Sequence, residues 1–404
     1  MIRKIKALGP GLLFAGAAIG VSHLVYATRA GADFGFGLLW AIILVHIFKY
    51  PFFQYGPRYA AATGESLLEG YRKLNKNVLV AYFILNLATM FTIQAAVTIV
   101  TAGLAINLFG LSSSPTVWSA VITIIGVAIL LLGRYKLLDN LMKVIICILT
   151  LTTIFAVIVA CTKGNHLTNW LQIFPKETIE ISFFIAFLGW MPAPFDISIW
   201  HSLWAVEKRK GLSDFDCNKS ITDFNIGYFG TMFLGICFLS LGALVMYNSG
   251  EEFSTKGGVF SQQLIQLYTS TIGDWSYFII AIAAFTTMFS TTLTTLDASP
   301  RAMSKTSELL IGFNIKKGYW IWIGFLGIGT IAMLTWLSSE MGFLIKLATI
   351  LSFLTAPFYA IINFILIKSR HIPKEFHPSK AVTILSYFGI AFLIGFSVWY
   401  LMNL

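Results

Sequence analysis

The chain alternates between long apolar runs and short polar segments. Most of the runs are 19 to 28 residues long, enough to cross a hydrocarbon core of about 30 Å as helices. Eleven spans are predicted, at about 9–30, 36–60, 78–108, 115–133, 138–161, 181–206, 224–247, 275–298, 319–337, 342–367 and 382–402. The runs are continuous rather than alternating, which excludes a membrane β-barrel. An amphipathic helix at the membrane interface is expected between spans seven and eight, with Val259, Phe260, Leu264, Ile265 and Leu267 on its apolar face. The other long connection, 162–180, also has room for a surface helix.

Span six is interrupted. Gly189-Trp190-Met191-Pro192-Ala193-Pro194-Phe195-Asp196 places two prolines and a carboxylate in its middle. Proline removes a backbone donor and clashes with the preceding helical turn. A broken backbone survives in a membrane only where protein or a water-filled cavity lines it. A charged group at a span's centre costs about 2.5–3.5 kcal/mol on insertion scales, so it marks a pathway or a partner. Span one carries a second irregular stretch, Gly16 to His23, with Gly20, Ser22 and His23 at mid-span. Small residues alone would indicate close helix packing, but the Ser-His pair favours a second break. Spans one and six are five apart and so run in opposite directions. Two broken helices in that relation predict a five-plus-five inverted repeat. The fold expected is an all-α integral membrane transporter domain with discontinuous helices 1 and 6. Repeat one covers about 9–161, repeat two about 181–367, and an additional helix about 382–402.

Composition supports this and settles orientation. Of 404 residues, 57% are hydrophobic and 11% charged, with mean hydropathy +0.78; soluble domains carry about 25% charged residues. The formal charge of +10 is explained by cytoplasmic loops rather than nucleic acid. With the N-terminus inside, 22 of the 28 Lys and Arg fall in inside segments and 4 outside, while Lys49 and Lys346 lie within spans. The expected location is the inner (cytoplasmic) membrane, N-terminus in and C-terminus out. Met1 to Lys6 reads as the start of span one, not a cleaved signal. Cys147, Cys161, Cys217 and Cys237 show no metal-ligand spacing and no disulfide framework.

The candidate substrate site joins the two breaks: Gly20, Ser22, His23, Trp190, Met191, Ala193 and Asp196. For a metal ion, Asp196, His23 and Met191 are the donors. Asp196 is read as a cation or proton site, or as half of a structural ion pair. Span eight is rich in hydroxyls. Thr291, Thr294 and Thr295, with carbonyls freed near Val21, form a possible sodium site, unless the threonines only bond their own helix. Asn86 and Thr89 share a face of span three and line a pathway or bridge helices. In span two, His46 and Lys49 stand near Pro51. No nucleophile elbow, HExxH or paired-carboxylate pattern is found, so neither an enzyme nor a cofactor is expected. Nor is there a filter-like motif of the kind a channel uses. The partners expected are a small cationic substrate, a coupling ion (H⁺ or Na⁺) and the lipid bilayer, with the chain monomeric.

Several stretches bear a family resemblance. Leu8-Gly9-Pro10-Gly11, then Ala30-Gly31-Ala32 and Gly35 to Trp40, resemble the first two helices of NRAMP divalent-metal transporters. Met191-Pro192 with His201-Ser202, and Ala356-Pro357-Phe358, resemble that family's sixth and tenth helices. The resemblance implies eleven helices, an inverted-repeat fold, and import of manganese, iron and similar ions with protons. The chain departs from the family at its metal ligands. The first-helix motif Asp-Pro-Gly-Asn is replaced by Gly20-Val21-Ser22-His23. The sixth-helix Met-Pro-His-Asn is replaced by Met191-Pro192-Ala193-Pro194, and the tenth-helix glutamine falls near Thr349. His201-Ser202 comes three residues later than the family pattern. Met191 is retained, and with it the preference for softer metals that the resemblance implies. A lone carboxylate suits a monovalent organic cation, amino sugar or amino acid as well as it suits a dication, and Trp190, Trp200 and Trp204 offer ring faces to one. Divalent metal by resemblance, and an H⁺- or Na⁺-coupled small organic solute, therefore stand as the two substrate readings.

Overall fold

A computed structural model describes residues 9–163, 169–209, 217–247, 254, 257–337 and 341–403, except the side chains of 133–143, 145, 163, 268, 270–272, 276 and 341. Met1 to Lys6, Leu8, Lys210 and Lys256 lie outside the described residues, as do the side chains of Arg134, Lys136 and Lys143.

Span one is three pieces: α1 (Pro10–Ala18), a π-helical turn (Ser22–Ala27) and α2 (Thr28–Phe34). The two halves bend by 49°. Then come α3 (Leu39–Thr63), the short α4 (Leu67–Leu74), α5 (Lys76–Phe109) and α6 (Pro115–Lys163). Span six is α7 (Thr178–Trp190) and α8 (Asp196–Arg209). The chain continues as α9 (Cys217–Val245), α10 (Gly257–Ile272), α11 (Tyr277–Ile311), α12 (Gly318–Leu337), α13 (Met341–Ile367) and α14 (Lys380–Met402). Among the described residues there is no strand.

Both predicted breaks are present. Ile19 leaves helical geometry at φ −79°, ψ 92°, and Met191 at φ −88°, ψ 125°. The Met191-Pro192 peptide is cis. Span one owes its glycines to packing as well as to the break. A Cβ at Gly11 would run into the backbone of Asp223, and one at Gly227 into the backbone of Gly11. Gly31 and Gly242 stand in the same relation to Leu239 and Thr28. Span one and α9 thus approach backbone to backbone. The Asp223 carboxylate accepts from the amides of Gly9 and Gly11 at 3.1 and 2.8 Å, satisfying donors that a helix start leaves open.

Two expectations need correction. The link expected between spans four and five is itself helical: α6 is helical over all 49 residues from Pro115 to Lys163. Its apolar stretches, Pro115–Leu132 and Ile146–Thr162, flank the charged segment read as a loop. No glycine or proline occurs between 134 and 163 to end the helix. The amphipathic helix α10 exists, but its stripe does not face lipid. Phe260, Leu264, Ile265 and Leu267 are buried against α5 and α6, and only Val259 is exposed. In the other long connection, the described residues 169–177 are not helical. Trp170 stacks on Phe36 with centroids 4.0 Å apart, and Phe36 and Ile173 exchange backbone bonds with Asn169 and Gly37.

Candidate functional site

The two breaks meet around a cavity of about 20 Å³, room for roughly one water. Gly20, Val21 and Ser22 line it from span one, Trp190, Pro194 and Trp200 from span six, and Thr291 and Thr295 from α11. Gly20 lets α11 in, since a Cβ there would stand 3.0 Å from Thr291. Among the described residues no carboxylate lines this space. The Trp200 indole N–H has no hydrogen-bond partner among the described residues.

Beside the cavity the breaks bring His23 and Met191 together. A Cβ at Gly235 of α9 would stand 3.5 Å from the Met191 sulfur and 3.7 Å from the His23 ring. His23 Nε2 lies 3.0 Å from the Thr231 carbonyl, and Nδ1 lies 2.7 Å from the Ser22 hydroxyl. A carbonyl only accepts, so Nε2 carries the proton, and in the neutral ring Nδ1 accepts from Ser22. That commits the one Ser22 proton to Nδ1, and the carbonyls of Ala18 at 2.9 Å and Pro192 at 3.5 Å are competing acceptors for it.

Asp196 is placed elsewhere. It is buried at the start of α8, where the helix N-terminus favours negative charge. Its carboxylate accepts from the Tyr359 hydroxyl at 2.8 Å. Tyr82 packs edge-on against Tyr359, and Tyr71 in turn against Tyr82. Tyr71 donates to Asn363, which in turn donates to Ser198 at 3.2 Å. None of the expected donors Asp196, His23 and Met191 lines the cavity: His23 and Met191 lie near Gly235, and Asp196 stands at the start of α8. Ala193 is buried off the cavity. Thr349 lies behind α7, 3.2 Å from the Tyr26 hydroxyl and bonded to its own helix. Trp190 lines the cavity and donates to Ser352 at 2.8 Å.

Of the expected sodium ligands, Val21, Thr291 and Thr295 share the cavity. The Thr291 hydroxyl lies 3.1 and 3.0 Å from the carbonyls of Gly16 and Ile19, freed by the span-one break. Thr295 donates to Gln94 at 2.6 Å. Thr294 is not brought in and bonds Ser290 within its own helix. Asn86 is buried with its amide nitrogen unpartnered among the described residues, one turn from the equally unpartnered Tyr82 hydroxyl. Thr89 bonds back to Leu85. Asp297, at the end of the expected span eight, pairs with Arg301 at 2.7 Å and accepts from Tyr319. No group of three or more His, Cys, Asp or Glu is gathered anywhere among the described residues.

Sequence reasoning missed Asp223 and the tyrosines around Asp196. It noted Lys49 without finding its place: the ammonium is buried and donates to the carbonyls of Leu188 and Gly189 at 2.7 and 2.9 Å.

Known proteins match along the whole chain. A family model described as natural resistance-associated macrophage protein-like covers residues 11–403. An uncharacterized protein of Pasteurella multocida (strain Pm70) is 36% identical over 98% of this chain and 92% of its own length. Among solved structures, a manganese transporter of Eremococcus coleocola superposes with a TM-score of 0.74 at 14% identity, covering 99% of this chain and 94% of that one. Mhp1, a nucleobase-cation-symport-1 family transporter in a closed conformation with bromovinylhydantoin bound, gives 0.63 at 14% identity, over 98% and 92%. At such identities the structures speak for the fold, which is that of the inverted-repeat transporters with broken first and sixth helices. Taken with the family model, these matches show that this multi-pass membrane protein belongs to the Nramp family.

Proposed function

We propose that the chain is a secondary active transporter that carries a transition-metal cation between the breaks of spans one and six by alternating access. Repeats 9–161 and 181–367 move about that centre, with the N-terminus cytoplasmic in the inner membrane and the chain acting as a monomer. The observation that carries the reading is the pairing of His23 and Met191 across the two breaks, flanking Gly235. An imidazole, a thioether and nearby carbonyls suit ions softer than manganese. For the cargo to bind His23 Nε2, the ring would change tautomer: the proton would leave Nε2 and the Thr231 carbonyl, Nδ1 would carry it and donate to Ser22 Oγ, and Ser22 would give its own proton to the Ala18 carbonyl. With no carboxylate in the cavity wall, the nearest buried negative charge at the break is Asp196. Its recorded partner is a neutral phenol rather than a cation. We assign it the coupling proton, as membrane-buried carboxylates commonly serve in proton relays.

The experiment is uptake into proteoliposomes of a metal panel (Mn²⁺, Fe²⁺, Zn²⁺, Cd²⁺, Cu⁺) under an imposed pH gradient, with sodium gradients in parallel. The reading predicts uptake driven by the pH gradient, strongest for the softer ions and lost in His23→Ala and Met191→Ala. Folded wild-type protein that moves none of the panel would refute metal transport. A second reading has one specific observation behind it: Trp190 and Trp200 wall the cavity, and the Trp200 N–H lacks an acceptor. A small organic solute that stacks on the rings and accepts a hydrogen bond would require this cavity, now with room for about one water, to open. Tryptophan fluorescence quenching by such solutes, with no metal uptake, would favour it.

A further inference from the structure

The break of span six has two ends, and each carries a buried charge of the complementary sign. Asp196 stands at the N-terminus of α8, the positive end of its helix dipole. Lys49 stands at the C-terminus of α7, the negative end. The sequence dictates why the carbonyls at that end are free. In a continuous helix the Leu188 carbonyl would accept from residue 192, which is proline and has no N–H. The Gly189 carbonyl would accept from Ala193, which lies past the break. Only the Phe187 carbonyl keeps its helical partner, the Met191 amide at 3.1 Å.

Lys49 reaches this end from the neighbouring helix α3. Its Nζ sits 2.7 Å from Leu188 O and 2.9 Å from Gly189 O, and 5.3 Å from the centroid of the Phe195 ring. The side chain is fully buried, and among the described residues no carboxylate lies within ion-pair distance. The groups facing it do not neutralise it. His46, one turn earlier on α3, gives Nδ1 to the Ile42 carbonyl at 2.7 Å. Tyr228 of α9 donates to the His46 carbonyl. The α7–α8 link contributes Phe195, and α7 contributes the two carbonyls. An ordinary structural ion pair would need an acid here. Two carbonyl oxygens, a helix C-terminus and an aromatic face instead make the surroundings of a dehydrated monovalent cation.

We propose that Lys49 is a resident cation: its ammonium occupies a carbonyl cation site at the end of α7, and removing the side chain opens that site to small monovalent cations. The class of ligand is an ammonium-type ion first, which donates hydrogen bonds in the directions Nζ now uses, and an alkali ion second. The site is separate from the cargo position beside Gly235, and its test does not depend on what the protein carries.

The test uses the full chain purified in detergent, as wild type, Lys49→Ala and Lys49→Met. Thermal unfolding is followed while methylammonium chloride or sodium chloride replaces choline chloride at constant ionic strength. Wild type should show the same midpoint in all three salts. Lys49→Ala should unfold at a lower temperature in choline and recover saturably with methylammonium, as a ligand that binds only the folded state requires. Lys49→Met, whose apolar chain fills the space without donating, should be destabilised and not recover. If Lys49→Ala can be isolated only when methylammonium is present throughout purification, the proposal stands. It is overturned if Lys49→Ala responds no more than wild type, or if it cannot be isolated in any salt while Lys49→Met unfolds like wild type.

Discussion

Replacing Gly235 by alanine separates the proposed cargo position from the fold. The added Cβ would lie 3.5 Å from the Met191 sulfur and 3.7 Å from His23 Cδ2 and Nε2. These are ordinary van der Waals separations, so nothing has to move. In the interior of α9, alanine also relieves the helix of a glycine, worth up to ~1 kcal/mol. The unfolding midpoint should therefore stay or rise. A metal ion held by imidazole nitrogen needs a bond of about 2.0–2.1 Å. It cannot share the gap between ring and thioether with a methyl carbon already in contact with both. Binding should weaken at least tenfold, about 1.4 kcal/mol. The assay is metal uptake into proteoliposomes as a function of concentration, with thermal unfolding of the same preparation. Gly235→Ala with wild-type uptake would refute the placement of the cargo between His23 and Met191.

Other perturbations follow from the same contacts. Asp223→Ala strips the carboxylate from the amides of Gly9 and Gly11. Two charge-assisted bonds at ~1.5–3 kcal/mol each, partly replaced by water, put the loss at roughly 2–4 kcal/mol, read by thermal unfolding. Gly227→Ala drives a Cβ into the backbone of Gly11, which cannot yield as a side chain would. It should sharply lower the yield of folded protein, while alanine at Gly230, where nothing stands within 4 Å, should not. Glu69, on the short helix between spans two and three, is opposed by burial, but its bonds to Lys305 and Ser66 win and hold its carboxyl below the usual range. A depressed pKa means stability that is present above the unfolded value of about 4.3 and lost as the pH falls through the folded value. Unfolding midpoints of wild type and Glu69→Gln should thus differ at neutral pH and converge below pH 4.

How much was legible in the sequence depends on the range of each interaction. Both breaks were, because their causes are local: Pro192 and Pro194 in one span, Gly20 and Ser22 beside His23 in the other. The meeting of His23 with Met191 followed from the pairing of the breaks. Asp196 stood out as a costly charge, but its partner Tyr359 lies 163 positions away and nothing local pointed to it. Asp223 was invisible for the same reason, its partners being 212 and 214 residues distant. Lys49 was within reach: Pro192 four residues after Leu188 announces a carbonyl without a donor, and a lysine in a neighbouring span is a natural filler. The link expected to be a loop between spans four and five is helical because Gly133 alone borders it and no glycine or proline follows before residue 164. The lipid-facing reading of α10 failed because an apolar stripe does not say whether lipid or protein will cover it.

The most direct measurement of the central claim is the position of bound cargo, from anomalous scattering of a cadmium- or zinc-soaked crystal of the full chain. The account predicts one peak between His23 and Met191, beside Gly235. A peak at Asp196 among Tyr71, Tyr82 and Tyr359, with none at His23, would contradict it.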